Sequence, residues 1–274
     1  MSVRISMVQP RTFPDDEINN VGAALSYVDD AADDGGKIVC FPEGYPGPFW
    51  ERFHFHKKPR KYDWLAPMSK KAKERGVYVI AGGLEDIGRG KYFDFLKLIG
   101  PDGKLVGRYN RTTPMGPYLF DAGYEVGDSL PVFQTKYGKV GMLTCSEVYE
   151  PELSRVLALQ GAEMIFLPSG GLIGELWPTW KTLVWARAIE NLAYTGTCQH
   201  MFGVEDGIAM VAGPEGVVAE KKDEGVLTVD IDLSRSRWLR KQQEEITFPK
   251  KYRVVPGTLD WRRPDLYRKS YPRW

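Results

Sequence analysis

Residues 137–161 read Tyr-Gly-Lys-Val-Gly-Met-Leu-Thr-Cys-Ser-Glu-Val-Tyr-Glu-Pro-Glu-Leu-Ser-Arg-Val-Leu-Ala-Leu-Gln-Gly. The pattern predicts a strand, a sharp turn and a helix. Val140 to Thr144 is a short apolar, β-favouring run of the kind buried on both faces. Glu150 and Pro151 mark a helix start, with proline at the first helical position, where its missing N–H costs nothing. Leu153, Val156 and Leu157 share one helical face, and Gly161 supplies a C-terminal stop. Cys145 stands between the two elements. A side chain at the carboxyl end of a strand, just before a helix, points into the crevice where open α/β sheets hold ligands. Its thiol is a candidate nucleophile. The alternative is a small buried hydrophobe, the commonest fate of a free cysteine. Ser146, Glu147 and Glu150 follow at once and place the thiol on a polar border. Cys40 and Cys198, in Lys-Ile-Val-Cys-Phe and Tyr-Thr-Gly-Thr-Cys-Gln, read as mid-strand packing residues.

Outward from this stretch the chain repeats itself. The first half predicts a strand at Ile5 to Val8, a helix at Glu17 to Asp33 and a strand at Lys37 to Phe41 ending at Pro42-Glu43-Gly44. A helix marked by Trp64, Leu65, Met68 and Ala72 follows, then a strand at Val77 to Ala81. A hairpin, Tyr92 to Ile99 and Leu105 to Tyr109, turns at Gly100-Pro101-Asp102-Gly103. The second half runs through Val140 to Thr144, a helix at Pro151 to Leu159, Met164 to Leu167, a helix from about Thr179 to Leu192, and Tyr194 to Gln199. Its hairpin, Ile208 to Ala212 and Val217 to Glu220, turns at Gly213-Pro214-Glu215-Gly216. Phe-Pro-Glu-Gly at 41–44 and Leu-Pro-Ser-Gly at 167–170 occupy equivalent places.

Each β-α-β-α-β-hairpin unit makes one mixed sheet with helices on one face. The bare faces must bury against each other. The predicted fold is α/β: a four-layer α-β-β-α sandwich of two mixed sheets with internal pseudo-symmetry. Val226 to Ile231 is expected to close the second sheet. Residues 1–233 form the expected main domain. Residues 234–274, rich in Arg, Lys, Pro and Trp, are expected to be an extended tail packing on the core or on a partner subunit. Trp238, Phe248, Trp261 and Tyr267 favour docking over a disordered terminus.

The chain has 274 residues and a net charge of +1, which argues against a nucleic-acid or membrane-surface partner held by electrostatics. No apolar run is long enough to span a bilayer, and the N-terminus lacks a signal region. With three cysteines, an odd number, the expectation is reduced thiols in a cytoplasmic protein. Trp177, Trp180 and Trp185 exceed a single core-facing stripe on their helix, and together with the aromatic tail they predict a homodimer or higher homo-oligomer.

A thiol that attacks a carbonyl or nitrile carbon needs a base for its proton and a donor for the developing oxyanion. His54, His56 and His200 are poorly placed as that base. The His54–His56 spacing suggests a metal pair, but no Cys, Asp or Glu cluster completes it, so no metal and no cofactor are expected. Glu43 is the better base, because it ends a strand that faces the same crevice. Phe41, Pro42, Tyr45, Pro46, Phe49 and Trp50 would desolvate it and raise its pKa. The alternative is a loop-capping glutamate in a Pro-Gly turn.

Phe-Pro-Glu-Gly at 41–44, Gly-Arg-Tyr-Asn-Arg at 107–111, Gly-Met-Leu-Thr-Cys-Ser-Glu at 141–147 and Trp-Ala-Arg-Ala-Ile-Glu-Asn at 185–191 occur in order. Together with Gly-Pro-Glu-Gly at 213–216 and Arg-Arg-Pro-Asp-Leu-Tyr at 262–267, they resemble the nitrilase superfamily of carbon–nitrogen hydrolases over nearly the whole chain. The resemblance implies the four-layer sandwich and a Glu-Lys-Cys triad. It carries over directly to Glu43 as general base and Cys145 as nucleophile. The lysine position holds Arg111, which keeps the charge but does not readily give up a proton. The family's second glutamate has two candidates, Asp121 and Glu125, and neither aligns cleanly.

Tyr149, Ser169 and Trp177 stand close enough to the loops to line a substrate pocket. Tyr149 and Trp177 read equally well as core or dimer-interface aromatics. Glu190 and Asn191 read as structural. The implied substrate is a small amide or carbamoyl compound, cleaved through a cysteine thioester. The alternatives are an organic nitrile, or a non-catalytic family member that serves as a binding or scaffold protein.

Overall fold

The computed structural model describes residues 2–13, 16–47, 63–113, 123–170, 174–201, 207–241 and 262–271. The first sheet holds β1 (Ser2–Gln9), β2 (Ile38–Cys40), β3 (Tyr78–Gly88), β4 (Lys91–Ile99), β5 (Leu105–Asn110), β6 (Tyr124–Glu125) and β13 (Gly225–Asp232). Its order is β13-β1-β2-β3-β4-β5, with β6 added against β4. The second sheet holds β7 (Val132–Gln134), β8 (Lys139–Met142), β9 (Met164–Phe166), β10 (Tyr194–Thr197), β11 (Ala209–Gly213) and β12 (Gly216–Lys221), in the order β12-β11-β10-β9-β8-β7. The two halves match in sense. β1-β2-β3 and β8-β9-β10 are parallel, and β3-β4-β5 and β10-β11-β12 are antiparallel. The predicted pair of mixed sheets and its internal repeat are therefore observed.

The layers follow from the two-residue period of the strands. In β2, Ile38 and Cys40 turn into the space between the sheets, whereas Val39 and the following Phe41 turn to the helical side. There they meet Val21, Ala24, Val28 and Ala31 of α1 (Glu17–Asp33) and Met68 and Ala72 of α2 (Leu65–Arg75). The Asp16 side chain caps α1 by accepting from the Asn19 amide at 3.1 Å. On the second sheet, Leu157 of α3 (Pro151–Leu159) and Trp180, Val184 and Ala188 of α4 (Trp177–Asn191) close the opposite layer. Where the sheets meet, a Cβ on Gly196 of β10 would stand 2.8 Å from the Met7 sulfur, so this crossing admits only glycine without a shift.

Three expectations need correction. The strand at 225–232 does not close the second sheet. It pairs antiparallel with β1 through eight positions, from Ser2↔Asp232 to Gln9↔Gly225. The chain crosses between layers after β12, where β1 offers the free edge that β13 fills.

The segment from 234 onward is not extended where it is described. Leu233–Lys241 is a helix, α5, which buries Leu233, Ser236 and Leu239 at helical spacing. Its Arg240 donates to the carbonyls of Leu192 at 3.0 Å and Ala162 at 2.7 Å, placing a cation where the chain leaves α3 and α4. A second helix, α6 (Pro264–Ser270), follows, and Tyr271 just beyond it donates to Glu152 of α3 at 2.6 Å. Phe248 and Trp261 lie outside the described residues.

Trp180 is not an interface residue. It is 1% exposed, and its ring N–H donates to Thr197 Oγ1 at 3.2 Å. Trp185 and Trp238 remain exposed.

Candidate active site

Cys145 follows β8 and opens a single 3-10 turn, Cys145–Tyr149. Its φ is +47°, a left-handed conformation that a side chain adopts only under constraint. Two contacts impose it. The Cys145 amide donates to Pro168 O at 2.8 Å, and the turn is clamped by the carboxylate of Glu147. That carboxylate accepts from the Thr144 amide at 2.8 Å, from the Tyr109 hydroxyl at 2.6 Å and from the Thr112 amide at 2.8 Å. Thr144 and Glu147 form a reciprocal capping box. One fully buried carboxylate thus ties the Cys145 turn to the segment that carries Arg111.

Glu43 ends the loop after β2 and is 1% exposed. Its Oε1 accepts from Arg111 Nη1 at 2.6 Å and its Oε2 from the Gly170 amide at 2.7 Å. Its own carbonyl accepts from His200 Nε2 at 2.6 Å, while His200 Nδ1 sits 2.7 Å from Thr12 Oγ1. His200 therefore grips the backbone of the Glu43 loop from the second half of the chain. The charged partner of Glu43 is Arg111, so its surroundings are not simply the desolvating aromatic wall that the sequence suggests.

Arg111 follows β5, and its amide donates to Asp94 O at 2.9 Å. Beyond Glu43, the guanidinium donates through Nε to Thr113 O at 2.8 Å and through Nη2 to Ser146 Oγ at 2.5 Å. Asp94 Oδ2 lies 3.6 Å from Nη1. The planar fork is thus spread over three elements, a task that fits arginine better than lysine. Gly107, at the head of the Gly-Arg-Tyr-Asn-Arg run, has a structural reason. A Cβ there would stand 2.0 Å from the Phe133 ring.

Charge balance sets the resting state. Burial, followed by the Glu43 carboxylate, pushes the Cys145 thiol up to about 11, although Arg111, Ser169 and the Gly170 amide pull the other way. The thiol is therefore neutral at physiological pH, and a cation alone does not make it a thiolate. Burial pulls Arg111 down, but Glu43, Cys145, Asp94 and Glu147 outweigh it and hold the guanidinium above its usual range.

The candidate pocket residues part company. Ser169 is buried, and its Oγ lies 3.5 Å from Cys145 Sγ. Tyr149 is 45% exposed and stands edge-on to Trp180 at 6.3 Å. Trp177 lines a cavity of about 450 Å³ with Pro178, Lys181, Trp185, Ile208 and Val217; Glu43, Arg111 and Cys145 do not line it. Glu125 forms an ion pair with Lys91 on the rim of β4 and β6, not with Arg111. Asp121, His54 and His56 lie outside the described residues. The sequence marks Ser146 and Glu147 only as a polar border to the thiol, and it does not mark Asp94. Thr-Cys-Ser-Glu at 144–147 carries the capping-box spacing that marks Glu147, and Asp94 is a lone acid between Phe93 and Phe95.

Two sheets stacked this way, with a thiol, a carboxylate and a guanidinium meeting at their strand ends, define a class. Residues 4–241 match the carbon–nitrogen hydrolase family, and the chain belongs to it. Among curated relatives it is similar to omega-amidase NIT2-B of Xenopus laevis, with 29% identity over 87% of this chain and 92% of the relative. Among solved structures it is similar to a carbon–nitrogen hydrolase from Helicobacter pylori G27, with a TM-score of 0.83, 21% identity and coverage of 99% of both chains. It is also similar to an amidase from Nesterenkonia sp. AN1, seen in a variant with the acetamide moiety of fluoroacetamide added covalently at the active site cysteine. That likeness has a TM-score of 0.78, 21% identity and coverage of 98% of this chain and 97% of the other.

Proposed function

We propose that the protein is an amidase that hydrolyses the carbon–nitrogen bond of a small amide or carbamoyl compound through Cys145. The observation that carries this reading is the grouping of the Glu43 carboxylate, the Arg111 guanidinium and the Gly170 amide around the thiol. Glu43 takes the thiol proton as sulfur attacks the substrate carbon, so no thiolate need accumulate beforehand. Arg111 stabilises the negative charge that develops on the substrate oxygen. The tetrahedral adduct collapses, the carbon–nitrogen bond breaks, and the proton held by Glu43 leaves with ammonia or an amine. Water then attacks the thioester with Glu43 again as base, releasing the acid and the free thiol.

The named activities of the relatives support an amide over a nitrile. A nitrile would pass through a thioimidate on the same residues. Three free buried cysteines support a reducing compartment, and we place the protein in the cytoplasm on that ground. No described helix is long and apolar enough to cross a membrane.

Ammonia release from purified protein, screened across aliphatic amides, ω-amides of dicarboxylic acids, carbamoyl compounds and aryl nitriles, tests the reading. Release from amides that disappears in Cys145→Ala is the expected result. Release from nitriles alone moves the protein to the nitrilase reading, and no release across the panel favours a binding or scaffold role.

A further inference from the structure

The site holds more acid than its base pairing accounts for. Asp94 is 4% exposed, and its Oδ1 is buried without a hydrogen-bond partner among the described residues. Its Oδ2 lies 3.6 Å from Arg111 Nη1, beyond hydrogen-bond length, because that nitrogen is committed to Glu43 at 2.6 Å. Among the described residues, Arg111 is the only basic side chain in ion-pair contact with either carboxylate. One cation thus serves two buried acids, and the geometry gives it to Glu43. An ionised Asp94 would be a buried charge with one oxygen unsatisfied, a costly arrangement. A protonated Asp94 has no charge and gains a donor.

We propose that Asp94 is a fourth member of the site, held as a neutral carboxylic acid that donates a hydrogen bond to Glu43 and so positions the base. This rests on the assignment of Glu43 and Cys145 made above. The groups that face Asp94 are Glu43 from the loop after β2, Arg111 after β5, Tyr124 of β6, and Glu147 from the turn that carries Cys145. All but Arg111 are acids. Burial and then Glu43 push the Asp94 carboxyl well above the usual carboxylate range, with Arg111 opposing them. With Asp94 neutral, transfer of the thiol proton to Glu43 leaves the Glu43–Arg111–Cys145 set neutral overall, with a thiolate beside Arg111. An ionised Asp94 would add one negative charge and oppose formation of that thiolate. Asp94 acts through Glu43, as a positioning residue.

Two readouts test this without a known substrate. The first is the infrared difference spectrum of wild type against Asp94→Asn at pH 7. A protonated-carboxyl carbonyl band present in wild type and absent from the variant is expected. No such band in wild type, or a band that survives the substitution, overturns the proposal.

The second readout is alkylation of Cys145 by iodoacetamide at pH 7, in which a carbon–sulfur bond forms, iodide leaves and Glu43 takes the proton. Asp94→Asn keeps a neutral donor and should react within about threefold of wild type, while Asp94→Ala should be slower by ~10-fold or more. An asparagine variant as slow as alanine, or an alanine variant as fast as wild type, overturns the proposal. If wild-type Cys145 does not react while Cys40 or Cys198 does, the assignment of the nucleophile fails instead, and the infrared band still decides the state of Asp94.

Discussion

The Gly170 amide donates to Oε2 of Glu43 across the two halves of the molecule, at 2.7 Å. The two residues belong to loops that the repeat makes equivalent, Phe-Pro-Glu-Gly at 41–44 and Leu-Pro-Ser-Gly at 167–170. One copy supplies the carboxylate and the other a backbone donor that aims it. A Cβ on Gly170 would stand 2.7 Å from the same oxygen. Gly170→Ala should therefore displace the carboxylate and lower turnover by ~10- to 100-fold with little change in thermal stability. Steady-state rates beside a melting curve check this, and full activity in the variant would remove the positioning role.

The three cysteines should separate cleanly. Cys145→Ala should abolish turnover and leave the fold intact. Cys40 and Cys198 are both fully buried, with Cys198 Sγ 3.5 Å from the Cys40 carbonyl. Their alanine variants should lose about 1 kcal/mol or more of stability and keep activity. Denaturant unfolding and an ammonia assay on the three variants settle the order. An inactive, stable Cys40→Ala would refute the assignment.

The thiol also predicts a pH dependence of stability. Its folded pKa, about 11, lies above the ordinary value of 9.0. A raised pKa means that the unfolded chain releases its proton first, so the contribution is present below about 9 and is lost as pH rises toward 11. The loss is on the order of 2–3 kcal/mol. Across that window the stability of wild type should fall relative to that of Cys145→Ala. A gap that does not change from pH 8 to about 11 would contradict it.

Arg111 holds three acceptors besides the distant Asp94 oxygen. Arg111→Met strips the cation from buried Glu43 and should cost about 3–5 kcal/mol along with activity. Arg111→Lys keeps the charge but cannot reach Thr113, Glu43 and Ser146 together. Its stability should fall between those of wild type and the methionine variant, with slower alkylation of Cys145. A lysine variant more stable than wild type would show that the fork is dispensable.

We further propose a homodimer, because two large aromatic side chains, Trp185 of α4 and Trp238 of α5, remain exposed. Light scattering at micromolar concentration should report about twice 31.0 kDa. A monomer mass excludes it.

What the sequence made legible was local or repeated. The turn at Cys145 announces itself by a β-favouring run, a polar border and a proline within a dozen residues, and the Glu43 loop is found through its twin at 167–170. What it hid depends on distant pairing. An antiparallel strand such as 225–232 fits either free sheet edge by pattern, and only the assembled sandwich shows that β1 takes it. Asp94 sits among phenylalanines in a hairpin strand, and its significance appears only when Arg111 and Glu43 arrive from other elements. Four basic residues, Arg235, Arg237, Arg240 and Lys241, mask the helical spacing of Leu233, Ser236 and Leu239. The three tryptophans of α4 share one helix, so only the packed layer shows that Trp180 is core.

The pairing of Ser2 with Asp232 joins strands that stand on either side of both repeats in the chain. The N-terminal sheet therefore has a bare edge until the second repeat and its hairpin have been made. Although the halves are built alike, a truncated first half would expose the β1 edge to any strand that passes. Synthesis of this chain thus carries a window of vulnerability to edge-to-edge aggregation that closes only when β13 arrives.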